Sequence, residues 1–206
     1  GPTQEAVDPV RYITNHSTGK MGYAIAKIAS RRGAEVTLVS GPTAEEEPAF
    51  VNVVNVCSAK EMFEAVKERA QEQDIIIKAA AVADYRPKHI RGSKMKKTED
   101  GSDLTLELER TDDILAYLGA HKKQGQFLCG FAMETEDLIA NAKRKLEKKR
   151  LDMIAANSLR VEGAGFGGNT NVVTVITKEK EVSLGKMTKE ETAAELLTMI
   201  AEARKV

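Results

Sequence analysis

The sequence predicts an α/β fold, a Rossmann-like, doubly wound and mostly parallel sheet with an antiparallel hairpin at one edge. Short apolar segments alternate with amphipathic segments of helical spacing over residues 20–150, which is typical of strands connected by helices. The near-continuous apolar run DIIIKAAAVAD, residues 74–84, suits a strand buried on both faces. Two alternating segments within 171–184 predict the hairpin. The chain has 206 residues, 42% of them hydrophobic, so we expect one domain over 1–206.

Capping signals place the helix ends in the first half of the chain. Gly33 is a C-terminal stop for the helix before it, and Ser58 with Glu61 forms a capping-box signature. No strand is expected before residue 10. The elements expected here are a helix over 20–32, strands over 35–40 and 51–56, and a helix from 58 to about 72.

Composition and capping signals also indicate the loops and helix starts in the second half of the chain. Residues 85–103 are polar and basic and predict a mobile loop, while the four glycines within 158–170 predict another flexible segment. Thr111 is expected to cap the helix after it, and Thr188 with Glu191 predicts a capping box for the last helix. The other elements expected are strands over 104–110, 127–134 and 153–157 and helices over 112–123 and 135–150.

The overall composition argues against several classes of partner. Acidic and basic residues number 31 each, so the net charge indicates no nucleic acid and no membrane surface. No segment is long and apolar enough to span a bilayer and no leader is visible, so we expect a cytoplasmic protein. Cys57 and Cys129 lack metal-binding spacing, which predicts two buried free thiols.

The segment NHSTGKMG, residues 15–22, lies where a dinucleotide-binding fold places its phosphate loop. A helix start offers unpaired N–H groups to an anion, and Gly19 and Gly22 allow close approach of the backbone. Ser17 adds a hydroxyl donor, and the Asn15 amide can hold a carbonyl or an oxyanion. A plain turn with a Ser/Thr cap explains the same pattern equally well.

The segment AAAVADYRP, residues 79–87, combines small residues with a carboxylate. Ala79, Ala80 and Ala81 leave room for a flat ring against the backbone. Asp84 can accept a hydrogen bond from a ribose hydroxyl or ligate a metal. A strand of small residues packed under a helix is the alternative explanation.

Lysines on a loop and on a helix suggest contacts with phosphate. Lys94, in the run KMKK, can close over a polyphosphate, and Lys145 and Lys149 share one helix face. A solvated basic surface is the commoner explanation for both groups. The histidines have no metal-binding spacing, His16 is a secondary candidate only, and no serine or cysteine has a paired base in the sequence.

Five segments in this order, DPVRYITNHSTGKMG, AAAVADYRP, KMKK, TDDIL and GFAMET, closely resemble the phosphopantothenoylcysteine synthetase family. The resemblance covers residues 1–200. In most bacteria, members of this family form the C-terminal half of a bifunctional coenzyme A biosynthesis protein whose N-terminal half is a flavin-dependent decarboxylase. The resemblance therefore implies that FMN belongs to that other half only. It also implies that in the family a strand precedes the GPT segment at residues 1–3.

The resemblance also implies an activity and its partners. Members of the family join 4'-phosphopantothenate to L-cysteine, using CTP with Mg²⁺ and forming an acyl-cytidylate intermediate. It implies a homodimer as well, for which the hairpin at 171–184 is a plausible element.

The resemblance assigns roles to individual residues. Asn15 matches the asparagine that holds the acyl-cytidylate carbonyl, and Lys94 matches the loop lysine needed to form that intermediate. The positions that match nucleotide-binding residues are Ala79, Ala80, Ala81, Asp84, Asp112, Asp113, Ile114, Leu115, Phe131, Lys145 and Lys149. The chain departs from the family at Thr111–Asp113, where Asn-Pro often precedes Asp-Ile, and at Met133, where a small residue is common.

Two other functions remain as alternatives. An NAD(P) oxidoreductase of the Rossmann type needs a charged ribose selector after the second strand, yet Ser40-Gly41-Pro42 stands there. A nucleotide-binding module without catalysis is the other alternative, and it leaves Asn15 and Lys94 without a role.

Overall fold

The computed structural model describes residues 1–96, 103–134, 137–158 and 167–204. The helices are α1 (Lys20–Arg31), α2 (Ala59–Ala70), α3 (Ile114–His121), α4 (Leu138–Lys148) and α5 (Lys189–Ala203). The strands are β1 (Gln4–Ala6), β2 (Tyr12–Thr14), β3 (Val36–Ser40), β4 (Val51–Asn55), β5 (Ile75–Lys78), β6 (Tyr85–Pro87), β7 (Leu108–Arg110), β8 (Phe127–Glu134), β9 (Met153–Ser158), β10 (Thr170–Ile176) and β11 (Glu181–Thr188).

The central sheet has the strand order β11-β10-β9-β8-β5. Strands β5, β8 and β9 run parallel, and β10 and β11 form an antiparallel edge. Helices α1 and α5 cover one face, and α2, α3 and α4 cover the other. The predicted α/β class, with a mostly parallel sheet and an antiparallel hairpin at its edge, is confirmed. Strands β3 and β4 form a separate parallel pair.

Most helix ends follow the capping signals in the sequence. Gly33 adopts a left-handed φ of 85° after α1, Ser58 accepts from the Glu61 N–H at the start of α2, and α5 has a complete capping box. The predicted cap of α3 is wrong, because Asp113 and not Thr111 accepts a hydrogen bond from the helix's first turn.

The prediction of a strand over 74–84 is wrong in its second half, because β5 ends at Lys78. The Ala83 N–H donates to Thr3 Oγ1 at 3.0 Å. The Ala83 carbonyl accepts from Thr111 Oγ1 at 2.6 Å. The backbone groups of Ala83 therefore have partners outside the sheet, which stabilise the path of the chain after β5.

A short hairpin of β1 and β2 contradicts the expectation of no strand before residue 10, with Glu5 opposite Ile13. Each strand has three residues, too few to show a period in the sequence. The turn between the strands is closed by Asp8, whose Oδ1 accepts from the Val10 N–H at 2.8 Å. Aspartate side chains often close tight turns in this way, by accepting a hydrogen bond from the backbone N–H two residues further along the chain.

The prediction of a mobile loop over 85–103 is wrong at its start, where β6 pairs antiparallel with β7. Arg86 donates to Glu109 across this pair at 2.8 Å. The strand predicted over 104–110 is shorter than expected, because β7 covers only its last three residues. Of the two segments predicted to be flexible, residues 97–102 and 159–166 lie outside the described part of the chain.

The two cysteines differ in exposure. Cys129 of β8 is buried as predicted, but Cys57 is exposed, because it lies in the connection between β4 and α2 rather than under a helix. Within the described residues, no helix has the length and apolar character needed to cross a bilayer.

Replacing Gly119 with alanine should destabilise the protein. A Cβ atom there would lie 1.8 Å from the Lys149 carbonyl oxygen, so α3 and the end of α4 would have to separate. We expect the free energy of unfolding in urea to fall by at least about 2 kcal/mol, although alanine normally favours a helix.

The matched control is Gly185→Ala in β11, where a Cβ atom would meet nothing within 4 Å. That substitution should change the free energy of unfolding by less than about 0.5 kcal/mol. Equal stability of the two variants would show that α3 and α4 are not packed as closely as described.

Candidate functional site

A cavity of about 190 Å³ lies where β5, β8 and β9 end and α1 begins. Ligands of open α/β sheets bind at this position, because the carboxyl ends of parallel strands meet there. The predicted site residues that line the cavity are Ser17, Gly19, Gly22, Ala79, Ala80, Ala81 and Phe131. The segments 15–22 and 79–87, which were predicted separately, therefore line the same cavity.

The start of α1 is open toward this cavity. Gly19 is the N-cap residue with a left-handed φ of 82°, which an L side chain rarely adopts. The Gly19 N–H donates to Ser17 Oγ at 3.4 Å. A Cβ atom at Gly22 would meet nothing within 4 Å, so the backbone is accessible there. A helix start of this kind binds anions.

Asn15 lies at the rim of the cavity. Its Nδ2 donates to the carbonyl oxygen of Ala81 at 3.0 Å, and Ala81 is one of the residues that line the cavity. The side chain is exposed, so a ligand can reach it. His16 is exposed as well, and nothing in its surroundings adds to its role as a secondary candidate.

Lys94 is exposed, but the segment that carries it is anchored by a carboxylate. The N–H of its neighbour Met95, which is buried, donates to Asp8 Oδ2 at 3.1 Å. Arg11 Nη2 donates to the Met95 carbonyl at 3.1 Å. The hydrogen bond from Met95 is the main reason that the pKa of Asp8 lies below its usual value. Asp8 was not among the predicted site residues, because its partner Met95 is 87 residues away in the chain.

A second group of charges lies between the start of α3 and the end of α4. Lys149 forms an ion pair with Asp113, with Nζ–Oδ2 and Nζ–Oδ1 distances of 2.8 and 3.0 Å. Burial alone would raise the pKa of Asp113, but hydrogen bonds from Lys149 and from the Ala116 N–H hold that pKa below its usual value. Two predicted nucleotide-binding residues are thus in contact with each other.

The remaining predicted residues differ in what they can offer. Asp84 and Asp112 are exposed and Lys145 is half-buried. The side chains of Ile114 and Leu115 are buried in the core, so only their backbone groups in the first turn of α3 can contact a nucleotide. Among the described residues, the Lys94 side chain forms no hydrogen bond or ion pair with a residue that lines the cavity. Its segment joins the rest of the protein through the hydrogen bond from Met95 to Asp8.

Asn157 and Asn171 were not among the predicted site residues. Both line the cavity and are buried, and Asn157 Nδ2 donates to Asn171 Oδ1 at 3.2 Å. Among the described side chains, the Oδ1 of Asn157 is a buried polar atom without a hydrogen-bond partner. The signal in the sequence was an asparagine at the carboxyl end of an apolar strand, which applies to Asn157 of β9 but not to Asn171 at the start of β10.

A broader cavity of about 1140 Å³ lies between α1, residues 44–50 and the start of α5. None of the predicted site residues lines it. In the described ranges, no group of three or more His, Cys, Asp or Glu side chains could hold a metal ion. Asp84 was predicted as a possible metal ligand. A metal ion held there would need its other ligands from a bound molecule.

The fold defines an α/β domain of the Rossmann-like class, and its cavity lies at the carboxyl edge of the parallel strands, the position at which such domains bind ligands. The chain belongs to the family of DNA/pantothenate metabolism flavoprotein C-terminal domains, whose model matches residues 1–203.

Relatives of the chain include the coenzyme A biosynthesis bifunctional protein CoaBC of Vibrio vulnificus (strain YJ016), which is 48% identical over 200 residues. That match covers 97% of this chain and 50% of the relative, so the chain spans about half the length of such proteins. The crystal structure of a C-terminal domain of CoaBC is 46% identical, with a TM-score of 0.82, covering 97% of this chain and 90% of that one. A Cab2 variant in complex with phosphopantothenate-cysteine shares the fold, with a TM-score of 0.77, 17% identity and coverage of 100% and 84%.

Replacing Asp8 with asparagine should loosen the segment that carries Lys94. The amide offers one acceptor oxygen where the carboxylate offers two, so the Met95 N–H or the turn at Val10 loses its partner. We expect faster hydrogen exchange over residues 91–96 and a melting temperature lower by a few degrees at neutral pH.

The contribution of Asp8 to stability should change with pH in a definite direction. A carboxylate whose pKa is lowered by folding contributes stability above its unfolded pKa of about 3.9, and that contribution is lost as the pH falls through the folded pKa. The difference between wild type and Asp8→Asn should therefore be constant from pH 5 to pH 8 and should vanish in acid. The exposed Asp103→Asn is the control, and an equal effect of both substitutions would contradict the anchoring role.

Proposed function

We propose that this chain is a phosphopantothenate–cysteine ligase, which joins 4'-phosphopantothenate and L-cysteine with CTP as the activating nucleotide. The proposal is supported by membership of the family and by the names of relatives, among them a coenzyme A biosynthesis protein and a protein crystallised with phosphopantothenate-cysteine. The observation that carries it is the cavity at the start of α1, with Asn15 at its rim.

In the first step, a carboxylate oxygen of phosphopantothenate attacks the α-phosphorus of CTP, and the bond to the β-phosphate breaks. The products are an acyl-cytidylate and pyrophosphate. Both reactants are anions, so their approach costs Coulomb energy. Lys94 on its anchored segment, Mg²⁺ bound to the triphosphate, and the N–H groups at the start of α1 would lower this cost.

In the second step, the cysteine amine attacks the acyl carbon, the bond to the phosphate oxygen breaks, and CMP leaves. The amine loses a proton and an amide is formed. Asn15 can donate to the acyl carbonyl from Nδ2 once its bond to Ala81 is exchanged for the ligand. Neither step requires a protein nucleophile, and burial raises the pKa of the Cys129 thiol far above neutrality, which makes that thiol inert.

The proposal includes Mg²⁺ as the partner of CTP, with Asp84, an exposed carboxylate in the segment that follows β5, as its candidate protein ligand. It also includes a homodimer, for which the hairpin of β10 and β11 is one candidate element. Large exposed apolar side chains on β6, β7 and their surroundings offer another, namely Tyr85, Ile90, Leu104, Leu106 and Leu108.

Lys94→Gln should abolish the first step. With CTP, Mg²⁺ and phosphopantothenate but without cysteine, wild type should release pyrophosphate and form a species with the mass of the acyl-cytidylate. Loss of the ammonium charge should slow pyrophosphate release by about 100-fold or more. Lys96→Gln, exposed on the same segment, is the matched control and should release pyrophosphate normally.

Failure of wild type to release pyrophosphate under these conditions would refute the ligase. Equal rates for Lys94→Gln and Lys96→Gln would leave the ligase intact and refute the role of Lys94.

Asn15→Asp should separate the two steps. A carboxylate cannot donate to the acyl carbonyl and repels the Ala81 oxygen, so the acyl-cytidylate should accumulate while the amide product forms about 100-fold more slowly. Mass spectrometry of quenched reactions measures both species. The control is Asn52→Asp on β4, which is exposed and does not line the cavity. Normal amide formation by Asn15→Asp would exclude the role given to Asn15.

A further inference from the structure

Lys78 is a charged side chain at the carboxyl edge of the sheet that the proposed mechanism does not use. It is the last residue of β5 and pairs with Gly130 of β8. Ile76 and Ala80, two positions before and after it, pack against the core beneath α2, α3 and α4. Because side chains alternate along a strand, Lys78 points to that same face, away from α1.

Charged groups of both signs surround the ammonium of Lys78. Lys145 and Lys149 of the α4 end, Asp113 at the start of α3 and Asp84 after β5 all act on it electrostatically. The carboxylate of Asp113 is already engaged by Lys149. Within the described residues, Lys78 forms no hydrogen bond or salt bridge of its own, so the cluster carries positive charge that is not fully neutralised.

The environment is unfavourable for a lysine in the absence of a ligand. Burial first, and then repulsion from Lys149 and Lys145, lower the pKa of Lys78 to about 8. Lys78 is half-buried, and a partly desolvated charge without a direct partner is costly. Groups held in this way are concentrated at functional sites, where a ligand supplies the missing partner.

We infer that Lys78 is a nucleotide-binding residue, whose ammonium donates a hydrogen bond to an acceptor oxygen of the bound nucleotide. Three converging lysines favour a phosphate oxygen as that acceptor. This inference rests on the proposed function, since it takes the groups around α3 and α4 as the nucleotide site. It adds a residue that neither the motifs nor the resemblance assigned.

The test compares Lys78→Met with wild type in two measurements. Methionine keeps most of the volume and removes the charge. Without ligand, the melting temperature should rise, because a poorly compensated charge is gone. The dissociation constant for CTP with Mg²⁺, measured by calorimetry, should increase about 10- to 100-fold, as expected when a hydrogen bond to a charged group is lost. Lys78→Arg should retain most of the affinity.

Smaller ligands identify the acceptor. If Lys78 contacts a phosphate, Lys78→Met should weaken CTP and CMP but leave cytidine binding unchanged. Equal weakening of all three ligands would place the contact at the base carbonyl, with Lys78 still a nucleotide ligand.

The pH dependence of CTP affinity gives an independent test of the role of Lys78. An anion binds the protonated lysine, so wild-type affinity for CTP should fall by about tenfold from pH 7 to pH 9, as Lys78 loses its proton in the free protein. Lys78→Arg and Lys78→Met should both lack this decline.

An unchanged dissociation constant for CTP in Lys78→Met would overturn the inference, whatever the change in the melting temperature of that variant. If wild type itself fails to bind CTP, the proposed function is refuted first, so the two failures are distinguishable.

Discussion

The parallel pairing of β5, β8 and β9 determines where many of the candidate functional groups lie. Gly130 of β8 stands between Lys78 and Ile154 in the register of these strands, so their carboxyl ends face the same edge of the sheet, with β8 and β9 extending beyond the end of β5. The chain after β5 leaves the sheet there, and α1 begins beside it. A change in this register would move the alanines, Phe131 and Asn157 to different faces, because side chains alternate along a strand.

Several groups at this edge are less stable than they would be elsewhere in the fold. The Asn157 Oδ1 is buried without a partner among the described atoms, which typically costs about 1–3 kcal/mol. Lys78 is a lysine held among other cations. A hydrogen-bond donor of a ligand would satisfy Asn157 Oδ1, and an anionic group near Lys78 would offset its charge. We therefore expect stability at this edge to be lowest in the absence of a ligand.

Much of the fold could be predicted from the sequence, because helix periodicity and capping signals are local. The caps at Ser58 and Thr188 are examples. The length of β5 could not be predicted, since an alanine-rich segment looks the same whether its backbone pairs with a strand or with Thr3. The motifs indicated Asn15 and the start of α1, but the hydrogen-bond partner of Asp8 and the charged neighbours of Lys78 are distant in the chain. In the sequence, Lys78 appears only as an interruption of the apolar run at residues 74–84.

Transfer of oxygen from substrate to nucleotide tests the central claim most directly. Phosphopantothenate labelled with ¹⁸O in its carboxylate would be incubated with the protein, CTP, Mg²⁺ and cysteine, and the nucleotide product analysed by mass spectrometry. If the carboxylate attacks the α-phosphorus, the CMP that leaves must carry one ¹⁸O atom, and the pyrophosphate none. Unlabelled CMP, or label in inorganic phosphate, would contradict the acyl-cytidylate route.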